Sequence, residues 1–415
     1  ISLTNKIFIA LLLGMATGLI LYPMRENAFV KTYLIGFLFH FLGNGFVRAI
    51  RMVVVPLVLC SLVVGAAGIE DITKLGRVGI KTLTFYLGTT AAAVTLALIG
   101  GNIINPGLGV RVSDIAVGSV KVAESKPFVD ILLDMIPINP VEALATGNML
   151  QIITFAIFSG IAILLLKEED KKRVLDMFGT LSRFIMMILK FVMGFTPYGV
   201  FALMATTTGK YGTDILGPLG KFIITIYIGL MIHAFVVYGG MYLAASGKSP
   251  IAFYKKIAPV WTTSFATCST AATIPVSIKV CEDELKLKKD IAGFTIPVGA
   301  TMNMDGNGLW YGVVAVFVSQ VLGIEMSLYQ MFIAVFTGVL MTLGSPGIPG
   351  GIFVATTIFL TTLGLPIEFV GLLGGIFRIM DMGITTVNVV GSVVVAAVLD
   401  AGERKNEQRE AVEEG

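Results

Sequence analysis

Charge is scarce in this sequence. Asp, Glu, Lys and Arg make up only 14% of its 415 residues, while 55% are hydrophobic and the mean hydropathy is +0.88. A soluble domain holds roughly 25% charged residues, so the composition excludes a water-soluble fold. The charges nearly cancel, to +3, and are scattered along the chain, which excludes the concentrated basic footprint of a nucleic-acid binder. Cysteine is rare too. Cys60, Cys268 and Cys281 show no CxxC spacing, so neither a thiol metal site nor a disulfide framework is expected. The two histidines, His40 and His233, lie far apart in apolar surroundings and read as span-end or packing residues rather than metal ligands. With no histidine near Ser269, an intramembrane enzyme would lack its nucleophile–base pair.

Apolar runs are what the chain has in plenty, at about 7–22, 33–68, 80–104, 150–166, 182–206, 216–246, 288–323, 328–343 and 367–399. About 20 residues cross a bilayer as helix, so the longer runs predict tilted or kinked spans. The first run follows a lone Lys6 in the manner of a signal peptide, but the chain stays apolar beyond it, so it reads as a first span. Pro106 to Pro140 mixes Gly, Pro and charge and reads as an excursion out of the membrane. The tail Glu403–Gly415 is charged and is expected to fray.

Basic clusters set the orientation. Lys74, Arg77 and Lys81 follow the second run, and Lys167, Lys171, Lys172 and Arg173 follow the fourth. Lys248, Lys255 and Lys256 precede residues 257–278, while Lys279, Lys286, Lys288 and Lys289 follow them. All lie on one side if 257–278 enters the membrane and returns. The positive-inside rule makes that side cytoplasmic and places both chain termini there.

Two segments are broken in the way that marks transporter sites. Trp261–Pro275 is rich in small and hydroxyl residues and closes on proline, too polar to face lipid; a cytoplasmic loop is the alternative. Gly344–Gly351 carries glycines and two prolines between the apolar arms 328–343 and 352–365, as a bend between helices would; an extracellular loop between two full spans is the alternative.

Ionisable groups inside spans are functional candidates by default. Asp305 sits in Asn303-Met304-Asp305-Gly306-Asn307-Gly308, poor helix formers whose unwinding would free carbonyls beside a carboxylate, an oxygen cage for a hard cation. Elsewhere such a sequence is an ordinary turn. Tyr86, Thr89 and Thr90 share one helical face and could complete the cage, although a threonine can also satisfy itself on its own backbone. Asp381, Thr385, Asn388 and Ser392 form a polar stripe on the last span. Arg378, one turn before Asp381, leaves open a purely structural ion pair.

These residues resemble the glutamate and neutral amino-acid transporter family, the dicarboxylate/amino acid:cation symporters. The resemblance covers nearly the whole chain. It is carried by Ser269-Thr270-Ala271-Ala272-Thr273-Ile274-Pro275, Asn303-Met304-Asp305-Gly306, Gly344–Gly350, Asp381-Met382-Gly383 with Thr385 and Asn388, Pro137–Pro140 and Thr196–Ala202. It implies an all-α membrane protein of eight transmembrane helices and two re-entrant helical hairpins, an inverted-repeat elevator transporter assembled as a homotrimer in the plasma membrane. The implied units are scaffold helices in 1–75, transport-domain helix 3 in 76–106, scaffold helices in 107–212, the remaining transport domain in 213–402, and a cytoplasmic tail, 403–415. Its partners would be membrane lipid and an amino-acid substrate, with no nucleic acid.

By the same resemblance, Asp381 would hold the substrate ammonium, and Asn388, Ser269 and Thr270 its α-carboxylate. Asn307, Gly347, Ile384 and Thr385 would line the rest of the pocket. Tyr86, Thr89, Thr90, Asn303, Asp305 and Asn388 would hold sodium. Two departures bear on this. Acidic-substrate members carry an arginine where this chain has Ile384, and an unpaired buried carboxylate is strongly unfavourable. A neutral side chain is therefore expected, unless Arg378 substitutes from another turn. Sodium-coupled relatives often have aspartate where this chain has Ser392, which leaves protons as an alternative coupling ion. The expectation is a sodium-coupled carrier of neutral amino acids. Its rivals are a proton-coupled or acidic-substrate carrier of the same fold and, from another class, an ion channel.

Overall fold

A computed structural model describes residues 3–67, 72–110, 128–213, 216–343, 351–366, 369–374 and 376–413. Among these, regular structure is entirely helical. The amino-terminal half runs α1 (Leu3–Leu21), a π-helical stretch Val30–Phe39, α2 (His40–Ala67), α3 (Ile72–Ile104), α4 (Phe128–Asp134), α5 (Pro140–Thr146), α6 (Met149–Leu164), α7 (Glu168–Met193) and α8 (Thr196–Tyr211). The second half runs α9 (Leu216–Ile232), a π-helical turn His233–Tyr238, α10 (Gly239–Ser246), α11 (Pro250–Lys256), α12 (Ala258–Thr267), α13 (Thr270–Asp283), α14 (Lys289–Met302), α15 (Asp305–Val321), α16 (Leu328–Leu343), α17 (Gly351–Thr362), α18 (Phe369–Gly374) and α19 (Phe377–Glu413).

Three described spans are long and apolar enough to cross a membrane unaided: Val78–Ile104, Leu216–Ser246 and Phe377–Glu407. The run expected at 182–206 is interrupted instead, with α7 and α8 meeting at a 53° bend. Pro197 at the start of α8 lacks the N–H needed to continue the preceding helix. The run expected at 288–323 is likewise two helices. Asn303 (φ −98°, ψ 85°) and Met304 (φ −120°, ψ 49°) leave helical geometry, and Asp305 opens α15. Polar Asn and Asp lose little by leaving a helix, and the carboxylate is favourable in a first turn.

The segment 257–278 is a pair of helices that break at Cys268, whose φ of 50° is left-handed. Both arms pack against α19, and α13 also packs on α14. The tip of the other broken segment, Gly344–Gly350, lies outside the described residues, between α16 and α17.

The helices pack in two groups. α1 lies along α8, where Gly14 and Gly18 abut the backbone of Phe201 and Ala205, and α2 packs on α6, α7 and α8. The other group surrounds α15 and α19, with α3, α9, α12, α13, α14 and α16 around them. α15 is buried almost along its whole length and is held by aromatic edges. The Trp310 ring meets Phe222 at 5.4 Å and Phe377 at 5.7 Å, and its Nε1 donates to Thr356 Oγ1 at 2.8 Å.

Among the described residues the carboxyl-terminal tail is helical, where its charge suggested fraying. α19 continues to Glu413, and Lys81 pairs with Glu403 at 3.0 Å, Arg404 with Asp400 at 2.6 Å, and Lys288 with Glu407. Arg404 also donates to the Lys286 carbonyl at 2.7 Å, and Lys405 to the Ala245 carbonyl at 2.9 Å. Glu403, Arg404, Lys405 and Glu407 thus meet partners on α3, near the end of α10, on the segment joining α13 to α14 and on α19 itself.

α15 and α19 touch through glycine. A Cβ on Gly306 would meet the Ile384 carbonyl and stand 2.8 Å from Ile384 Cα, a backbone atom that cannot swing away. Overpacking of a rigid contact costs about 1–3 kcal/mol. Gly306→Ala should therefore lower the thermal midpoint of the purified protein in detergent by several degrees, whereas Gly293→Ala, with open space around it, should leave it unchanged.

Candidate functional site

The α14–α15 break aims Asp305 inward, and its carboxylate has no exposed surface. Three side chains from two other spans surround it. Thr90 of α3 donates its hydroxyl to Oδ1 at 2.6 Å. Tyr238 donates its phenol to Oδ2 at 2.6 Å, and His233 Nε2 lies 2.9 Å from the same oxygen. A carboxylate oxygen accepts, so Nε2 is the imidazole nitrogen that carries the hydrogen. His233 is itself fully buried. The expectation that it merely packs is corrected: a wholly buried imidazole needs a polar partner, and Asp305 is that partner.

Asn303 stands next to this carboxylate on the broken backbone. Its Nδ2 donates to the Asn388 carbonyl at 2.9 Å and to Ser392 Oγ at 3.4 Å. Its Oδ1 is buried and meets no donor among the described residues. Of the face formed by Tyr86, Thr89 and Thr90, only Thr90 touches Asp305. Tyr86 donates to the Thr295 carbonyl at 2.8 Å, and Thr89 to the Tyr86 carbonyl of its own helix at 3.2 Å. All three are nonetheless buried. A carboxylate beside an orphaned amide oxygen is the donor set of a hard cation. The residues present therefore fit a sodium ion.

The stripe on α19 forms the second cluster. Asp381 is 6% exposed; its Oδ1 accepts from Thr385 Oγ1 at 3.2 Å, and its Oδ2 faces Arg378 Nη1 at 3.5 Å. Asn388 ties the two clusters together. Its Oδ1 accepts from the Gly306 N–H at 2.8 Å, and its Nδ2 donates to Asn307 Oδ1 at 3.0 Å and reaches Met304 Sδ at 3.2 Å. Ile384 is 1% exposed, and its backbone packs on Gly306. At the α12–α13 break, Ser269 caps α13 by accepting from the Ala272 N–H at 3.2 Å, and Thr270 donates to the Ala300 carbonyl at 2.8 Å. Both arms of that break, α12 and α13, pack on α19, the helix that carries the stripe. Gly347 lies outside the described residues.

The chain is similar to known proteins along nearly its whole length. Residues 3–401 match the sodium:dicarboxylate symporter family. This chain belongs to that family. A proton/sodium-glutamate symport protein of Geobacillus stearothermophilus is 33% identical over 417 residues, covering 99% of this chain and 96% of that protein. A proton/glutamate-aspartate symporter of Escherichia coli (strain K12) is 30% identical, covering 99% and 95%. A C4-dicarboxylate transport protein of Pectobacterium atrosepticum is 30% identical over 365 residues, covering 86% and 84%. The sodium:dicarboxylate symporter family comprises membrane symporters rather than enzymes, and the chain is accordingly a symporter.

Sequence reasoning about this symporter missed His233 and Tyr238. An ionisable group inside the run 216–246 was the available signal. What hid them is their spacing. Residues five apart do not share an α-helical face, and the π-helical turn that brings them together has no sequence signature of its own.

The Thr90 contact makes a direct test of the Asp305 cluster. Removing one partner of a buried charged group costs about 1–3 kcal/mol or more. Thr90→Val, nearly isosteric, should lower the thermal midpoint in detergent, and Thr90→Ser should restore most of it. Equal midpoints for all three proteins would show that the carboxylate does not depend on that hydroxyl.

Proposed function

We propose that this symporter imports a small amino acid with a neutral side chain across the plasma membrane, driven by sodium. Asp381 binds the substrate ammonium. Among the described residues its two oxygens meet one hydroxyl at 3.2 Å and one guanidinium at 3.5 Å, fewer than the roughly four donors a carboxylate accepts, which leaves room for an ammonium. That buried, under-used carboxylate beside a helix break is the observation that carries the reading. The α13 amino terminus at Ser269 and Thr270, together with Asn388, receives the α-carboxylate, and Ile384, Asn307 and Thr385 surround the side chain. Sodium binds among Asp305, Asn303, Asn388, Tyr86, Thr89 and Thr90. The helices around α15 and α19 move as an elevator against those around α2 and α8, in a homotrimer with both termini cytoplasmic. The two packing groups support that division.

A second reading has a specific observation behind it. Arg378 is 9% exposed and reaches Asp381 from one turn away, so a guanidinium is already at the site. It could receive a side-chain carboxylate, and the relatives above are named for glutamate, aspartate and C4-dicarboxylates. Protons are the alternative coupling ion, since these names also include them and Ser392 is a weak cation ligand.

Competition against a labelled neutral amino acid separates the readings. A hydrophobic wall at Ile384 discriminates poorly between similar apolar groups, by about 1–3 kcal/mol per methylene, but rejects an unpaired charge. Alanine and serine should compete within a factor of about one hundred of each other, and aspartate should compete far less. Ile384→Arg should move preference toward aspartate. Aspartate competing at least as well as alanine in the unmodified protein would assign the side-chain site to Arg378 instead. Asp381→Asn should abolish binding of every zwitterionic amino acid, and near-normal binding would reduce Asp381 to a structural partner of Arg378.

A further inference from the structure

The long span Leu216–Ser246 is not a regular helix. α9 stops at Ile232, His233–Tyr238 form a π-helical turn, and α-helix resumes at Gly239. The wider turn has a geometric consequence. In an α-helix, residues five apart point about 140° away from each other around the axis. In a π-helical turn the i and i+5 positions are the hydrogen-bonded pair and stack on one face. His233 and Tyr238 are five apart, their rings meet edge to face at 4.6 Å, and both reach the same atom, Asp305 Oδ2. A straight α-helix could offer one of them to that oxygen but not both.

Two further features are shaped around this pair. Gly391 of α19 has no side chain where one would collide: a Cβ there would meet the Tyr238 hydroxyl and Asn303 Nδ2. And the two donors on Oδ2, opposed by Thr90 on Oδ1, leave the carboxylate no freedom to rotate. Three donors occupy three of its roughly four accepting positions. Beside it stands Asn303 Oδ1, buried and donorless among the described residues.

We infer that His233 and Tyr238 are positioning residues for the coupling cation: the π-helical turn brings both onto Asp305 Oδ2 and fixes the carboxylate so that its remaining acceptor and Asn303 Oδ1 converge on one cation. This rests on the reading that the cation binds at Asp305. Metal-ligating groups held by outer hydrogen bonds typically lose 10–100-fold in affinity when those bonds are removed. The two residues act through Asp305 and do not touch the ion.

The test is a sodium titration of the thermal midpoint of the full-length protein in detergent, at constant ionic strength with choline as the replacement cation and no amino acid present. Sodium bound to the folded state raises the midpoint according to its affinity. In the unmodified protein the midpoint should rise with sodium. Tyr238→Phe, which removes one oxygen, should shift the half-effect concentration upward by about tenfold. His233→Leu should do the same, and His233→Gln, which keeps an N–H donor, should recover part of the loss. Gly391→Ala, acting from another helix, should resemble Tyr238→Phe. Variants that melt lower in choline yet respond to sodium at the unmodified concentration would overturn the inference, leaving both residues as packing. Should His233→Leu fail to fold, Tyr238→Phe decides alone. An unmodified protein with no sodium response would instead withdraw the sodium reading itself, and this inference with it.

Discussion

A carboxylate at membrane depth with no exposed surface constrains everything around it. Neither lipid nor bulk water solvates Asp305, so the protein must supply the donors, and an unpaired buried charge would cost far more than a folded chain can spare. Three spans therefore have to meet at one atom group: α3 brings Thr90, the turn between α9 and α10 brings His233 and Tyr238, and α15 brings the carboxylate. α19 closes the fourth side through Asn388 and Ser392, which bind the Asn303 and Gly306 backbone and amide groups. The helix break at Asn303–Met304, the π-helical turn and the glycine contacts at Gly306 and Gly391 all serve this convergence, since each lets a span come closer or aim differently than a straight helix with a Cβ could.

The same convergence links the Asp305 cluster to the Asp381 cluster. Asn388 binds Gly306 and Asn307 on one side and shares a helix face with Asp381 and Thr385 on the other. A change at Asp305 that moves the start of α15 therefore reaches Asn388 within one hydrogen bond. Coupling of cation and solute needs such a shared element, whose position both ligands bias.

Much of this was legible from residue types. The scarcity of charge made each intramembrane aspartate stand out, and the run Asn303–Gly308 announced a break because its residues gain little from helix. The stripe Asp381, Thr385, Asn388, Ser392 was visible because α19 is regular and keeps α-helical period. Legibility failed where geometry departs from that period. His233 looked like packing in its apolar surroundings and Tyr238 drew no notice, because i, i+5 is not a face of an α-helix. Thr89 and Tyr86 share a face with Thr90, yet a face does not specify which hydroxyl reaches a partner 215 residues away. The tail looked frayed because two of its charges, Glu403 and Glu407, find their partners, Lys81 and Lys288, across the fold.

The claim at the centre is that the buried Asp305 cluster couples a cation gradient to movement of an amino acid. Gradient-driven uptake of labelled alanine into proteoliposomes, with the voltage clamped, tests it most directly. The account predicts concentrative uptake when sodium is high outside only, equilibration without accumulation when sodium is equal on both sides, and loss of accumulation in Asp305→Asn. Accumulation of alanine that is indifferent to the sodium gradient, or that survives Asp305→Asn, would contradict it.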